Sequence, residues 1–452
     1  QRDRAYGMSR NDVRASEQSA DLVRVMEIEL LGELEVDADN RLNIAEPNRL
    51  PHTGQPVYEI PADVIPQLLG IPTLERIDEG LHLGDLESGG RRVPFLLPTM
   101  AIARHMAVLG KTGVGKSYAV GVLMEELNDK GIPLLSFDVL GDTETTAQEL
   151  GGRHIVAGSN DFRIPYSILG LSEFLPFIPS LTPDQKDLVA SAYGSAYDAA
   201  SDLLDHGQPL DVPFSTLTNA IQAIGTAISS NATNRAITRA QTAFDRSTLL
   251  TDQAVSWPAR LRDTPLTNIY VGHLGQQQRN QVVGAAARIL QTLRRRGHIP
   301  PFVLVIDEAH LFLPGGQDPP PSTAVLREMI RTARHDAVGV VLLSQSPSSL
   351  DRQILLTANT RLIFSLDPED LRVVAGQLGD LPEESIQRIP RLARGRAVVT
   401  SAMDIMRHPV IVNIRQRQRT THVANTPDLR EAVREWHEAH PQQDPVHNRN
   451  GR

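Results

Sequence analysis

A glycine-rich segment at residues 110–117 has the residue types and the spacing needed to hold a chain of phosphates. It reads GKTGVGKS, which fits the pattern G-x-x-x-x-G-K-[ST]. The glycines let backbone amides crowd around an anion at the positive end of the next helix. Lys116 would neutralise the β and γ phosphates, and the Ser117 hydroxyl would bind Mg²⁺. The pattern predicts an ATP and Mg²⁺ site with contacts from Gly113, Val114, Gly115, Lys116, Ser117 and Tyr118.

A second apolar run, at residues 302–306, ends in the carboxylates Asp307 and Glu308. Beside a phosphate site, Asp307 would hold the Mg²⁺ ion and its water shell, and Glu308 would polarise the attacking water. Alone, such a pair is also typical of a solvated strand end. Together with the glycine-rich segment, the pair predicts that ATP is hydrolysed as well as bound.

Polar residues also follow two further predicted strands. Gln345 ends the run VGVVLLSQ and would sense the γ phosphate, although a simple strand cap fits the same pattern. Asp138 and Asp142 follow the run LLSF, at the edge where α/β sheets bind their ligands. A solvated turn explains Asp142 equally well.

Arginines form two groups outside these motifs. Arg327, Arg331 and Arg334 are spaced to share one helix face, either as a solvated face or as a finger reaching a neighbouring subunit's γ phosphate. Between residues 388 and 419, eight arginines face the single acid Asp404, which gives 8 − 1 = +7. Such a charge suits a nucleic-acid backbone or an acidic neighbouring subunit, and the sequence does not separate the two.

Strand and helix patterns alternate around the motifs, which predicts an α/β domain with a parallel sheet. Short apolar runs before residue 98 predict a small β-barrel or sandwich, and Ala-rich amphipathic stretches predict a helical insertion. We predict a β-barrel at 1–98, an ATPase core at 99–170 and 266–418 that is split by a helical insertion at 171–265, and a tail at 419–452.

Composition limits the class of protein. The chain has 452 residues, 45 basic and 54 acidic side chains and a net charge of −9, so contacts with nucleic acid would need local basic patches. It has no cysteine, which excludes disulfides and thiolate metal sites. We found no run approaching the length of a membrane span and no signal peptide, and therefore expect a cytoplasmic protein without a membrane partner.

With these residues in hand, the chain resembles the HerA family of ring ATPases, in the HerA/FtsK branch of RecA-like motors. GKTGVGKS follows a β unit, IDEAH is similar to the second motif of the family, and Arg331 to His335 (RTARH) is similar to its arginine-finger segment R-E-G-R-K. The stretch SQSPSSLD before NTRLIF is similar to the one that carries the polar sensor, here Gln345. Arg104 matches an arginine that lies near the nucleotide in the family.

The resemblance implies a RecA-like P-loop ATPase that forms a homohexamer and translocates double-stranded DNA. It further implies work with a NurA-type nuclease in DNA repair, and a carboxy-terminal segment that straps onto the next subunit. Two departures are visible: the family strand end D-P-H-G-E-Y is here Asp138 to Thr143 (DVLGDT), and Thr332 replaces the finger segment's Glu.

Three functions compete at this point. The first is a DNA-translocating motor for end resection, with Arg235, Arg239, Arg260 or Arg262 of the helical insertion lining a pore. The second keeps the ATPase ring but makes it a scaffold that activates a defence effector enzyme. The third, a protein-unfolding or secretion ATPase, is disfavoured because the aromatic pore loop usual in unfoldases is missing between the two ATP motifs.

Overall fold

A computed structural model describes residues 60–88, 91–225, 230–316, 319–375, 383–422 and 429–439, with four short strands and three single positions before residue 60. The strands are β1 (Asp3–Ala5), β2 (Met26–Ile28), β3 (Glu33–Val36), β4 (Leu42–Ala45), β5 (Gly80–Ser88), β6 (Arg91–Pro98), β7 (Met106–Leu109), β8 (Leu134–Asp138), β9 (Arg153–Val156), β10 (Ile164–Pro165), β11 (Leu250–Thr251), β12 (Leu266–Tyr270), β13 (Phe302–Ile306), β14 (Val338–Ser344), β15 (Thr360–Ile363), β16 (Arg396–Thr400) and β17 (Val410–Ile414).

The helices are α1 (Ile65–Leu69), α2 (Met100–Ala103), α3 (Lys116–Asp129), α4 (Glu144–Glu149), α5 (Leu171–Phe174), α6 (Pro183–Asp205), α7 (Phe214–Gly225), α8 (Ser230–Arg246), α9 (Arg260–Asp263), α10 (Gln276–Arg295), α11 (Pro321–Ala333), α12 (Arg352–Thr357), α13 (Pro368–Ala375), α14 (Glu383–Arg388) and α15 (Leu429–Ala439).

Eleven of these strands form one sheet, in the order β6-β5-β17-β16-β15-β7-β14-β13-β8-β12-β9. From β15 to β9 every neighbouring pair is parallel, whereas the pairs from β15 to β6 are antiparallel. Every residue of β7, β8, β13, β14 and β15 is buried, as expected for parallel strands covered on both faces. The predicted α/β class is confirmed.

Two apolar cores cover the two faces of this sheet. Along β7, Ala107 and Leu109 join the core that also holds α10, α11 and the helices α6–α8, while Met106 and Val108 join the core under α3. This alternation follows from the two-residue period of a strand. The sheet therefore fixes α3 on one face and α10 and α11 on the other.

The predicted domain limits stay predictions, but the structure describes several of their elements. Strands β1 to β4 pair as two separate antiparallel ribbons. Strands β5 and β6, which the prediction placed in the β unit, are hydrogen-bonded through β17 to the main sheet. The predicted helical insertion contains α5 to α9, and β11 is its short strand.

After β17 the chain crosses the outer side of α3 as an extended segment, residues 415–422, which we call the C-terminal strap. Arg415 is buried and its Nη1 and Nη2 atoms lie 2.9 Å from Glu125 and Glu126. The Glu125 carboxylate also accepts backbone hydrogen bonds from Gln418, Arg419 and Thr420 at 2.9–3.1 Å. These polar groups of the strap are satisfied by α3 of the same chain, and contact of this segment with the next subunit stays a prediction.

Replacing Glu125 with Ala should lower the free energy of unfolding by about 3–5 kcal/mol, because Arg415 would remain as a buried charge without this carboxylate. Urea unfolding followed by circular dichroism measures the change. The matched control is Asp129→Ala, which removes the exposed pair between Asp129 and Arg419 and should cost no more than about 1 kcal/mol. Equal midpoints for wild type and Glu125→Ala would contradict the role given to this pair.

Candidate nucleotide-binding site

The glycine-rich loop forms the turn between β7 and α3 that the sequence predicts. Gly113 and Gly115 have φ values of +79° and +113°, a backbone region that glycine enters without strain. A Cβ at Gly113 would meet nothing within 4 Å, so that side of the loop is open. Gly115 packs against the backbone of Gly395, and the Val114 carbonyl accepts a hydrogen bond from Gly395 N at 3.0 Å. The loop is thus held from behind and open in front, which fits a phosphate chain.

Lys116 begins α3 and folds back over the loop. Its Nζ atom donates to the Lys111 carbonyl at 3.0 Å. Burial lowers its pKa, and the nearby charges of Glu308, Asp307 and Asp142 oppose that shift. Lys116 therefore stands between the open loop and a group of carboxylates, where its charge can bridge phosphate and acid.

The carboxylates lie at the ends of β8 and β13. Burial and the neighbouring carboxylates raise the pKa of Asp307 to about 8, and burial also raises the pKa of Glu308 and of Asp142. Glu308 adopts a left-handed backbone at φ +46°, a strained conformation for a non-glycine residue, and is only 6% exposed. Carboxyls crowded and buried in this way hold protons more tightly, and a bound cation would favour their ionised form.

The residues present fit Mg²⁺. Ser117 lies beside Asp142, whose buried Oδ1 atom has no hydrogen-bond partner, and the buried Oε2 atom of Glu308 likewise makes no hydrogen bond. Ser117, Asp142 and Asp307 line one small cavity. Hydroxyl and carboxylate oxygens are the protein ligands that Mg²⁺ takes beside phosphate oxygens.

Gln345 connects the loop to the acid strand. Its Oε1 atom accepts a hydrogen bond from the Thr112 hydroxyl at 2.6 Å, and Gln345 lies close enough to Glu308 to oppose the rise in the pKa of that carboxyl. His310, which sequence reasoning missed, has its Nδ1 atom 3.3 Å from Glu308. Burial and the charge of Lys116 lower the pKa of His310. The signal for His310 was its place in IDEAH, two residues after Glu308.

Asp138 and Asp142, the two carboxylates after β8, have different roles in the structure. Asp138 is fully buried and accepts hydrogen bonds from Gly141 N at 2.7 Å and Thr143 N at 3.0 Å, so it builds the turn after β8. That turn carries Asp142 to Ser117. The departure from the family motif therefore still leaves a carboxylate at the site.

Tyr118, predicted to contact the nucleotide, has its side chain against the C-terminal strap. Its hydroxyl accepts from Arg417 N at 2.9 Å, and its ring lies edge-on to His422 with centroids 5.5 Å apart. The structure therefore gives the Tyr118 side chain another partner, and its contact with nucleotide stays a prediction.

The predicted arginines lie at the opposite edge of the sheet. Arg104 precedes β7, and Arg331 and Arg334 precede β14, whereas Lys116 and Gln345 follow these two parallel strands. At about 3.3 Å per residue, the seven residues of β14 separate the two edges by roughly 20 Å. Arg331 and Arg334 are exposed, and Arg104 pairs with Asp404 at 2.5 Å. Within one chain, these arginines are not brought to the loop.

The basic stretch 388–419 is also partly used inside the chain. Arg415, Arg417 and Arg419 contact carboxylates or carbonyls of their own chain, so they are not available in this arrangement for the contacts considered from the sequence. In the insertion, Arg239 donates to Gln185 at 2.6 Å and Arg260 lies 3.4 Å from Asp161.

Comparison with known proteins finds similar helicases. Residues 81–288 match the family model described as "Helicase HerA, central domain". The chain is 24% identical over 376 residues to the "DNA double-strand break repair helicase HerA" of Saccharolobus solfataricus, an alignment that covers 77% of this chain and 73% of the relative. The central part of the chain is therefore similar to HerA helicases.

A second relative and a solved structure are also similar to the chain. The "DNA double-strand break repair helicase HerA" of Sulfurisphaera tokodaii is 24% identical over 378 residues, covering 77% of this chain and 74% of the relative. The solved structure of VirB4 of Thermoanaerobacter pseudethanolicus is similar with a TM-score of 0.57 at 16% identity, covering 75% of this chain and 97% of that one. The likeness to VirB4 concerns the fold, and it is consistent with the predicted RecA-like core. Among the described residues, no helix is both long enough and apolar enough to span a membrane.

Replacing Lys116 with Ala should reduce ATP turnover by about a hundredfold or more without altering the unfolding midpoint, because the lysine acts on phosphate and not on the core. Steady-state release of phosphate measures the turnover. Lys111→Ala is the matched control: it lies in the same loop, but its Nζ atom faces Asp367 at 3.7 Å. Full turnover in Lys116→Ala would show that the loop does not hold the reacting phosphate.

Proposed function

We propose that this chain is an ATP-driven motor that translocates along or unwinds double-stranded DNA. The observation that carries the proposal is the convergence of Lys116, Ser117, Asp307, Glu308 and Gln345 at one edge of the sheet. Support for DNA as the track comes from the relatives, which are named DNA double-strand break repair helicases.

The residues divide the work of hydrolysis between them. When bound, Mg²⁺ and ATP supply the reactive phosphoryl group and the cation that the acid cluster lacks. Lys116 neutralises charge that develops on phosphate oxygens, and Ser117 and Asp307 hold the cation. Glu308 accepts the proton of the attacking water, which suits a carboxylate whose pKa burial raises. Gln345, which is hydrogen-bonded to Thr112 of the loop, would sense whether the phosphate site is occupied.

The arginines complete the site of another subunit. Since Arg104, Arg331 and Arg334 stand at the far edge of the sheet, a second copy must present its loop to them if they act on phosphate. We propose a homohexameric ring, in which each interface combines the loop edge of one copy with the arginine edge of the next.

We further propose that a NurA-type nuclease works with this ring in DNA end resection and recombinational repair. The test is ATP turnover with and without linear duplex DNA, and a monomer that ignores DNA would end the proposal.

Replacing Glu308 with Gln should leave ATP affinity within about threefold of wild type but reduce turnover by about 10²–10⁴, because the amide cannot take the water's proton. Binding titrations and phosphate release measure the two quantities separately. Glu75→Gln, an exposed change of the same kind, should leave both unchanged. Lost affinity with retained turnover per bound ATP would mean that Glu308 serves binding instead.

Mixing Lys116→Ala with Arg334→Ala should restore part of the activity that each variant lacks alone. In randomly mixed rings, about one quarter of the interfaces join an intact loop to an intact arginine. Turnover measured across mixing ratios should pass through a maximum. Flat, inactive mixtures from two variants that both assemble would contradict a site shared between subunits.

A further inference from the structure

The side chain of Arg417, in the C-terminal strap, reaches the first turn of α3. Its Nη2 atom donates to the Ser117 carbonyl at 2.6 Å and its Nε atom to the Tyr118 carbonyl at 3.2 Å. Its Nη1 atom donates to the Thr146 hydroxyl of α4 at 3.1 Å. The guanidinium also lies 5.1 Å from the centre of the Tyr118 ring. One side chain of the strap therefore ties together the starts of two helices that border the nucleotide site.

The opposing surface of α3 is shaped for this guanidinium. Gly121 is a buried glycine in the middle of α3, a position where glycine costs about 1 kcal/mol relative to alanine. A Cβ at Gly121 would overlap the Arg417 guanidinium, which supplies the three atoms nearest to that position. The glycine thus leaves room for Arg417 at a cost to the helix.

A cation is unfavourable at a helix N-terminus, where the helix dipole is already positive. Arg417 is tolerated there because Glu125, Glu149 and Asp142 are close enough to stabilise its charge. The same cavity is lined by Arg417, Ser117, Asp142 and Asp307. Arg417 of the strap therefore lies beside the side chains that would hold Mg²⁺.

We propose that Arg417 is a positioning residue for the Mg²⁺ half of the nucleotide site. By fixing the carbonyls of the first turn of α3, it holds the Ser117 hydroxyl toward Asp142 and Asp307. Docking of the strap and binding of Mg²⁺ with nucleotide are therefore linked, and each favours the other. The proposal rests on the nucleotide site proposed above.

The test is the gain in nucleotide affinity that Mg²⁺ provides, measured by calorimetry with a non-hydrolysable ATP analogue in EDTA and in excess Mg²⁺. In Arg417→Ala the gain should fall by about tenfold, the loss typical of removing a group that orients a metal ligand. Affinity in EDTA should change by less than about twofold, since Lys116 and the loop remain. Arg417→Lys, which keeps the charge but not the spread of donors, should lose an intermediate amount.

Gly121→Ala supplies an independent variant. It should favour the helix by about 1 kcal/mol yet displace the flexible end of Arg417, and so reproduce the loss of Mg²⁺ dependence. Adding Gly121→Ala to Arg417→Ala should cause no further loss, because the group it displaces is already gone. Gly194→Ala is the matched control, since a Cβ at this glycine of α6 meets nothing within 4 Å. Arg419→Ala controls for the strap, because it removes only an exposed pair.

Hydrogen exchange gives the reciprocal readout. Mg²⁺ with the analogue should slow exchange of the backbone amides in residues 415–422 of wild type, and should do so less in Arg417→Ala. The proposal would be overturned if Mg²⁺ raised the analogue affinity of a folded Arg417→Ala protein as much as that of wild type, or more. It would also be overturned if Arg417→Ala lost the same factor of affinity in EDTA and in Mg²⁺. Absence of analogue binding by wild type would instead overturn the nucleotide site itself, so the two failures are distinct.

Discussion

Parallel pairing of four neighbouring strands is the constraint on which the site depends. Strands β7, β14, β13 and β8 stand side by side, so their carboxyl ends meet at one edge. The first gives the loop with Lys116, the second Gln345, the third Asp307 and Glu308, and the fourth the turn with Asp142. Residues more than two hundred positions apart become neighbours because one register of hydrogen bonds holds these strands. The same rule sends Arg104 and Arg334 to the opposite edge, since each precedes its strand.

Much of this arrangement was predictable from the sequence. The glycine-rich loop, the strand before Asp307 and Glu308, and the strand before Gln345 each have a local pattern, and parallel pairing then requires their ends to converge. The α/β class follows from the alternation of these patterns. The helices of the insertion follow from their amphipathic spacing, which α6 to α8 display. The spacing of apolar residues is enough to predict a helix or strand when one face of that element is buried.

Other features depend on contacts that no local pattern encodes. Asp142 lies at the site because Asp138 accepts backbone hydrogen bonds that fold the turn between the two residues. Residue spacing alone does not predict these hydrogen bonds. The arginines of the strap looked available to DNA or a neighbour because charge was counted along the chain. Glu125, which binds the Arg415 side chain, lies 290 residues earlier in the chain. The contact between Gly121 and Arg417 could not be predicted either, because a single glycine in a helix has many explanations.

The strap contacts both the outer side of α3 and its first turn. Its buried ion pairs secure the outer side of α3, and its next arginine reaches the turn where the helix begins. The helix that presents Lys116 is held on its inner side by apolar packing and on its outer side by charge. The first turn of α3, beside the proposed Mg²⁺ site, is thus contacted by a segment about 300 residues further along the chain.

The antiparallel part of the sheet bears on how the chain is made. Strand β5 pairs with β17, and Leu86 faces Val412, which are 412 − 86 = 326 residues apart. While the ribosome is still producing the chain, the β5–β6 hairpin must wait for its sheet partner with one edge uncovered. Exposed strand edges are templates for pairing with other chains. A nascent or truncated copy that ends before residue 410 therefore carries an open edge on β5, where it can aggregate with other chains.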